Sequence, residues 1–251
     1  MNFEKKGKCF FVIYNKKTNK TKNVYVSNYE AKNNLEVLET GENEEFILVP
    51  CKQTERQIIY TSGQSGSGKS YSTAMYAEQY HKMFPKRGIY LFSLVQDDPS
   101  IKHDFVKKID LRKILDSELR LEDLKNTLLI FDDIDCIKDK QLKDKLKRIE
   151  NNVLLMGRHH NISLVYCSHV SCRGLDSKNI LNECSVITLF PLHMNARDLK
   201  YITSEYIGLN KEQRKDFLEM AKKSRSVSYI KNYPPIIFSS KKAYILMPKV
   251  D

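Results

Sequence analysis

Tryptophan is absent from this chain, and its six cysteines (Cys9, Cys51, Cys136, Cys167, Cys172 and Cys184) include no C-x-x-C pair. Without that spacing neither a zinc ribbon nor a disulfide framework is indicated, and the thiols are expected to be reduced and mostly buried. No apolar run approaches the roughly 18 residues that a membrane span requires. The apolar stretch Cys9 to Tyr14 is too short for a signal-peptide core and has lysines on both sides. Internal repeats and low-complexity tracts are also missing. These absences lead to the expectation of a soluble cytosolic protein with no membrane-spanning segment.

What is present fits that expectation. The 251 residues suffice for one large α/β domain with an appendage and would be cramped as two full domains. Apolar residues make up 41% and charged residues 29%, the ordinary balance of a globular protein. The 42 Lys and Arg against 31 Asp and Glu leave a net charge of +11. Such a charge suits a polyanion such as nucleic acid, with a lysine-rich solvated surface as the alternative. Residues 1–22 carry seven lysines against the single acid Glu4, so the excess is concentrated at the start of the chain.

The octapeptide Gly63-Gln64-Ser65-Gly66-Ser67-Gly68-Lys69-Ser70 fits G-x-x-x-x-G-K-[ST]. The apolar run Gln57 to Thr61 precedes it as a buried strand would. A helical face of Ala74, Ala77, Tyr80 and Phe84 follows, stopped by Pro85 and Gly88. In the order strand, glycine loop, helix, backbone N–H groups converge on phosphate oxygens and the positive helix end adds to them. Lys69 then reaches the β- and γ-phosphates, and Ser70 serves as a Mg²⁺ ligand. A second apolar strand, Thr127 to Phe131, delivers Asp132-Asp133 at its carboxyl end. Asp132 is placed to hold the magnesium and Asp133 to orient an attacking water.

Residues 8–14 and 23–27 are expected to form a hairpin around Asn15 to Lys22, and Leu35 to Leu38 and Phe46 to Val49 two further strands flanking the Gly41 turn. Residues 1–50 are accordingly read as a small β-rich appendage and 51–251 as the P-loop domain. From 57 onward strands and helices alternate, which predicts a mostly parallel sheet with helices on both faces. Gly88 to Ser93 is a second buried strand, and Asp97-Asp98-Pro99-Ser100 a turn and helix start. Leu142, Leu146, Ile149, Val153 and Met156 recur at spacings of 4, 3, 4 and 3 and predict an amphipathic helix stopped by Gly157. Ile162 to Cys167 and Ser185 to Phe190 are further strands. Helices are expected near 195–206 and 210–222, the second opened by Asn210 with Gln213 as its box partner, and short strands at 225–230 and 236–247.

The segment Gly157-Arg158-His159-His160-Asn161-Ile162-Ser163-Leu164-Val165-Tyr166-Cys167-Ser168-His169 resembles a stretch of the FtsK–HerA superfamily of motor ATPases. There an arginine, a short gap and an apolar strand lead into a polar sensor, normally glutamine. Asn179 to Glu183 and the strand to Phe190 continue the likeness, which covers about residues 57–190. Within the superfamily, the Phe131-Asp132-Asp133-Ile134-Asp135 strand and the chain's short length are most similar to the poxvirus-type packaging ATPases of large eukaryotic DNA viruses.

The resemblance implies a P-loop NTPase fold of the RecA/ASCE kind, ATP and Mg²⁺ as cofactors, and ATP hydrolysis coupled to translocation of double-stranded DNA through sequence-independent phosphate contacts. It further implies a homo-oligomeric ring, a capsid or portal-vertex partner, and a place in the host cytoplasm and the virion. Arg158 takes the role of a finger reaching a neighbouring subunit, with Arg173 and Arg225 as rivals. His169 stands at the sensor position, with Ser168 as the alternative. Asp133 stands where glutamate is frequent, and His169 where glutamine is usual. His159 and His160 are read as surface or packing histidines. Two other functions suit the same scaffold: a nucleoside or nucleotide kinase, for which no arginine-rich lid is found, and a non-catalytic DNA-binding assembly protein.

Overall fold

Strand β1 (Lys8–Asn15) and strand β2 (Lys20–Val26) pair antiparallel around an exposed turn, as the hairpin pattern predicts. In this computed structural model, described over residues 1–27, 35–50, 56–95, 101, 103–169, 174–232 and 234–246, two compact units are formed. One comprises Met1–Cys51 with Ser185–Asp251, the other Lys52–Cys184. Strand β3 (Val37–Glu39) and strand β4 (Glu44–Leu48) flank the Gly41 turn without pairing with each other. β4 instead adds to β1 antiparallel, which completes a three-stranded sheet in the order β2-β1-β4.

The second unit holds the alternating elements. Strand β5 (Ile58–Ser62) is buried at every position and runs through the glycine loop into helix α1 (Lys69–Met83). Strand β6 (Ile89–Ser93) and the short β7 (Val106–Lys108) follow, then helix α2 (Leu111–Asp116). The turn expected at Asp97 to Ser100 lies outside the described residues. Strand β8 (Leu128–Asp132) is wholly buried, and helix α3 (Lys140–Met156) is capped by Asp139, whose side chain accepts from Leu142 N at 3.0 Å. Strand β9 (Ser163–Ser168) and helix α4 (Gly174–Glu183) complete the unit.

All five strands of this unit are parallel, in the order β5-β9-β8-β6-β7. Burial on both faces explains why β5, β6, β8 and β9 read as near-continuous apolar runs, whereas the edge strand β7 is mostly exposed and carries two lysines. Helix α3 buries Leu142, Leu146, Ile149 and Val153 as its spacing predicts. Met156 departs from the pattern: it is 49% exposed, and Leu154 occupies the buried side of the last turn at 2%.

The remaining strands, β10 (Val186–Leu189), β11 (Val227–Ile230), β12 (Ile236–Phe238) and β13 (Lys242–Ile245), form an antiparallel meander that ends on β3. Between β10 and β11 lie helix α5 (Ala196–Tyr201), continued by a wider turn to Tyr206, and helix α6 (Lys211–Ser224). The expected box opens α6: Gln213 N donates to Asn210 Oδ1 at 2.9 Å and Asn210 N to Gln213 Oε1 at 3.0 Å.

Phe11 of β1 is fully buried, stacked on Phe238 of β12 with centroids 5.1 Å apart and edge-on to Phe46 of β4 at 5.2 Å. This cluster joins the first and last parts of the chain. Phe11→Ala should therefore lower unfolding free energy by about 3–5 kcal/mol, seen as an earlier urea midpoint. A midpoint unchanged from wild type would mean that the cluster is not a stabilising centre.

Candidate active site

The register of the parallel strands sets the site. Ser62 of β5 lies opposite Ser168 of β9, and Asp132 of β8 opposite Cys167. The next residues, Gly63, His169 and Asp133, thus leave the sheet together at its carboxyl edge, where open α/β sheets bind ligands. Gly63 N donates to Ser168 O at 3.3 Å and Asp133 N to Cys167 O at 3.3 Å, which prolongs the alignment past the strand ends.

The glycine loop closes on itself through Ser67 N and Gln64 O at 3.2 Å, and Gly68, at φ 109°, turns the chain into α1 in a conformation that side-chain-bearing residues avoid. Gln64, Ser65 and Gly66 are exposed, whereas Gly63, Ser67 and Lys69 are buried and Ser70 half-buried. Lys69 Nζ donates to Gly63 O at 2.9 Å and to Gln64 O at 3.1 Å, and lies 3.1 Å from His169 Nδ1. His169 Nε2 in turn lies 2.6 Å from Asp133 Oδ2. One imidazole therefore links the loop lysine to the acidic strand.

Asp133 adopts the left-handed conformation at φ 54° and ψ 26°. A non-glycine residue held there stores roughly 1–3 kcal/mol, and the turn re-aims its side chain out of the strand's alternation. Its Oδ1 is buried and accepts no hydrogen bond among the described residues, which leaves one carboxylate oxygen for a water or a ligand. Asp132 is buried and accepts from Ser93 Oγ at 3.5 Å. The donor set of a serine hydroxyl and a carboxylate, Ser70 and Asp132, consists of hard oxygens and fits magnesium.

Below the edge, burial foremost and then the nearby Asp132 push the Cys167 thiol well above its usual range, and its sulfur sits 3.1 Å from Thr73 Oγ1 of α1. It is a packing group. Ser168 Oγ donates at 2.6 Å to Asp135 Oδ2, and Tyr166 Oη donates at 2.5 Å to Asp135 Oδ1. Between the two sensor alternatives, His169 therefore meets Lys69 and Asp133, while the Ser168 hydroxyl serves Asp135. No motif gives Asp135 a role, and its only signal in the sequence is its place two residues after Asp133.

Arg158 is not brought to this edge. It sits on the turn between α3 and β9, hence at the amino end of β9, while His169 follows the carboxyl end. Six strand residues at about 3.3 Å each separate the two positions. The turn is firmly held. Arg56 donates through Nη1 to Val153 O at 2.5 Å and through Nη2 to Leu154 O at 2.7 Å, capping the carboxyl end of α3. Gly157 permits this, since a Cβ there would stand 2.8 Å from Arg56 Nη1 and 2.4 Å from Val153 O.

Arg158 itself is exposed, as is His159, and His160 Nε2 lies 3.7 Å from the Glu122 carboxylate. Among the rival arginines, Arg173 lies outside the described residues, and Arg225 is exposed at the end of α6 with φ 62°.

Lys69 can only donate, so Nδ1 of His169 accepts and the ring proton resides on Nε2, facing Asp133. ¹⁵N NMR of histidine-labelled, ligand-free protein should accordingly find His169 as the Nε2–H tautomer. A ring carrying its proton on Nδ1 would show that the lysine contact is not made.

No family model matches the sequence. The uncharacterised protein V3 of Sputnik virophage is 37% identical over 243 residues, which span 95% of each chain. Among solved structures, the pCW3 conjugation coupling protein TcpA superposes with a TM-score of 0.51 at 14% identity, over 88% of this chain and 72% of that one. The DNA-packaging ATPase B204 of Sulfolobus turreted icosahedral virus gives 0.47 at 16% identity, over 76% and 98%. No helix among the described residues is long and apolar enough to cross a membrane. With a glycine loop, an acidic strand and a third strand between them, this chain belongs to the family of virophage protein V3 and is built on a P-loop α/β fold.

Proposed function

We propose that this protein is an ATPase that drives double-stranded DNA into a viral capsid, hydrolysing ATP between the subunits of a homo-oligomeric ring. The observation that carries the reading is the linkage Lys69–His169–Asp133, which ties the phosphate-binding lysine to a carboxylate with one oxygen that accepts no hydrogen bond among the described residues. Such a pair suits attack by water on a terminal phosphate. The virophage relative supports a viral setting, and the proposal places the protein in the host cytoplasm and the virion. The coupling-protein fold and the +11 charge are consistent with DNA as the track. A motor that handles every sequence has to grip phosphates rather than bases.

In this reading the loop from Gly63 to Ser70 cradles the triphosphate with its backbone N–H groups, and Lys69 exchanges its loop carbonyls for β- and γ-phosphate oxygens. Ser70 and Asp132 would hold Mg²⁺, which would supply charge neutralisation to the phosphates. Asp133 accepts a hydrogen bond from the attacking water through Oδ1, while His169 fixes Oδ2. The bond formed is water oxygen to γ-phosphorus, and the bond broken joins γ-phosphorus to the bridging oxygen of ADP. Arg158, rigidly seated and exposed at the far end of β9, serves a neighbour's site rather than its own. The β-rich residues 1–50 and a capsid or portal-vertex protein complete the proposed machine.

Three variants test this. Lys69→Ala should lose ATP binding, and Asp133→Asn should bind ATP and lose phosphate release. Arg158→Ala should bind ATP and turn over about 10³-fold or more slowly. Mixing Lys69→Ala with Arg158→Ala should restore part of the DNA-stimulated phosphate release, because one subunit offers a loop and the other an arginine. Mixed assemblies that form and stay inactive at all ratios would remove Arg158 from the trans role. Phosphate transferred to a nucleoside in place of water would favour a kinase.

A further inference from the structure

We propose that Asp135 is a positioning residue for hydrolysis, holding Asp133 and His169 at their working separation by clamping the acidic turn to the sensor strand. The inference rests on the ATPase reading above.

Both carboxylate oxygens of Asp135 are committed. Oδ1 accepts from Tyr166 Oη at 2.5 Å and Oδ2 from Ser168 Oγ at 2.6 Å. The donors lie two residues apart on β9 and thus on one face of the strand, and Ser168 immediately precedes His169. The acceptor lies two residues after Asp133, in the same one-turn helix, Ile134–Cys136, that Asp133 opens in a left-handed conformation. One carboxylate therefore braces both ends of the 2.6 Å contact between His169 and Asp133. The turn is held from its other side by Lys143 Nζ of α3, which donates to Asp135 O at 3.1 Å.

Burial raises the Tyr166 phenol far above its usual range, so it stays protonated and donates. A carboxylate is the only common side chain that accepts two hydroxyl protons at once on separate oxygens in this way, since an amide offers one oxygen and a nitrogen that cannot accept. The double commitment also separates the acidic side chains of this strand by role. Asp133 keeps a buried oxygen that accepts no hydrogen bond among the described residues, whereas Asp135 has both oxygens engaged.

The test compares Asp135→Asn with the double variant Tyr166→Phe/Ser168→Ala and with the triple combination, measuring ATP affinity, single-turnover phosphate release and the His169 ¹⁵N shifts. The expected result is unchanged ATP affinity, phosphate release lowered about 10–100-fold in Asp135→Asn, a similar loss in the double variant, and no further loss in the triple. Loss of the Nε2–H preference of His169 should accompany each.

A drop in thermal stability with normal phosphate release and normal His169 shifts would overturn the proposal in favour of a purely structural bond. So would a loss in Asp135→Asn far exceeding that of the double variant, because Asp135 would then act on water directly. If the wild-type protein binds no ATP and releases no phosphate, the ATPase reading fails by itself. The His169 shifts then still decide whether Asp135 sets that ring, and unaltered shifts in all three variants would overturn it.

Discussion

The level ending of three parallel strands is the constraint on which the site depends. Parallel hydrogen bonding fixes Ser62 against Ser168 and Cys167 against Asp132, and a slip of one residue would turn every side chain of the moving strand to the opposite face. The largely apolar strands have both faces buried, so such a slip has no solvent-facing side to expose. What the register does fix is which residues stand first beyond the sheet. Lys69, His169 and Asp133 come from segments 36 to 100 residues apart in sequence, yet their linkage needs no long-range search once the three strands are in place.

The glycine loop and the acidic strand were legible because each is local: a loop, its strand and its helix fit within thirty residues, and Asp132-Asp133 closes an apolar run. Their linkage was less so. Sequence gives the strands in the order β5, β6, β8, β9, and nothing in composition says that β9 lies between β5 and β8; that placement brings His169 between lysine and carboxylate. Only the family resemblance pointed to position 169. Asp135 stayed hidden because Tyr166 reads as an ordinary member of a buried strand and Ser168 as an alternative sensor, so neither points to a carboxylate 31 to 33 residues earlier. The pairing of β3 with β13, about 200 residues away, left no local mark either. Met156 obeys the helical period and is nonetheless exposed, since periodicity extends to the last turn of a helix whether or not packing does.

The turn carrying Arg158 illustrates how rigidity and exposure are combined. Arg56 occupies the carbonyls that the end of α3 would otherwise present to water, and this places a guanidinium at the negative end of the helix dipole. Burial foremost, with Arg158 adding to it, lowers the Arg56 pKa, and Glu183 offsets part of that. Asn161 closes the same turn at φ 53° and donates through Nδ2 to Asn126 Oδ1 at 3.0 Å. The backbone on either side of Arg158 is therefore fixed while its side chain is left in solvent.

The stacking of Phe11 on Phe238 has a consequence for how the chain is made. The strands β1, β2 and β4 lie close in sequence and can pair as soon as they leave the ribosome, but the ring that covers Phe11 is encoded near the other end. At 5–20 residues per second, the intervening stretch takes roughly 10–40 s to appear. Throughout that interval a lysine-rich three-stranded sheet carries a phenylalanine whose stacking partner is not yet made. Lys69, Asp133 and His169 are thus all made before Phe238, and a phenylalanine waiting for its stacking partner gives the half-made protein apolar surface that the finished one buries.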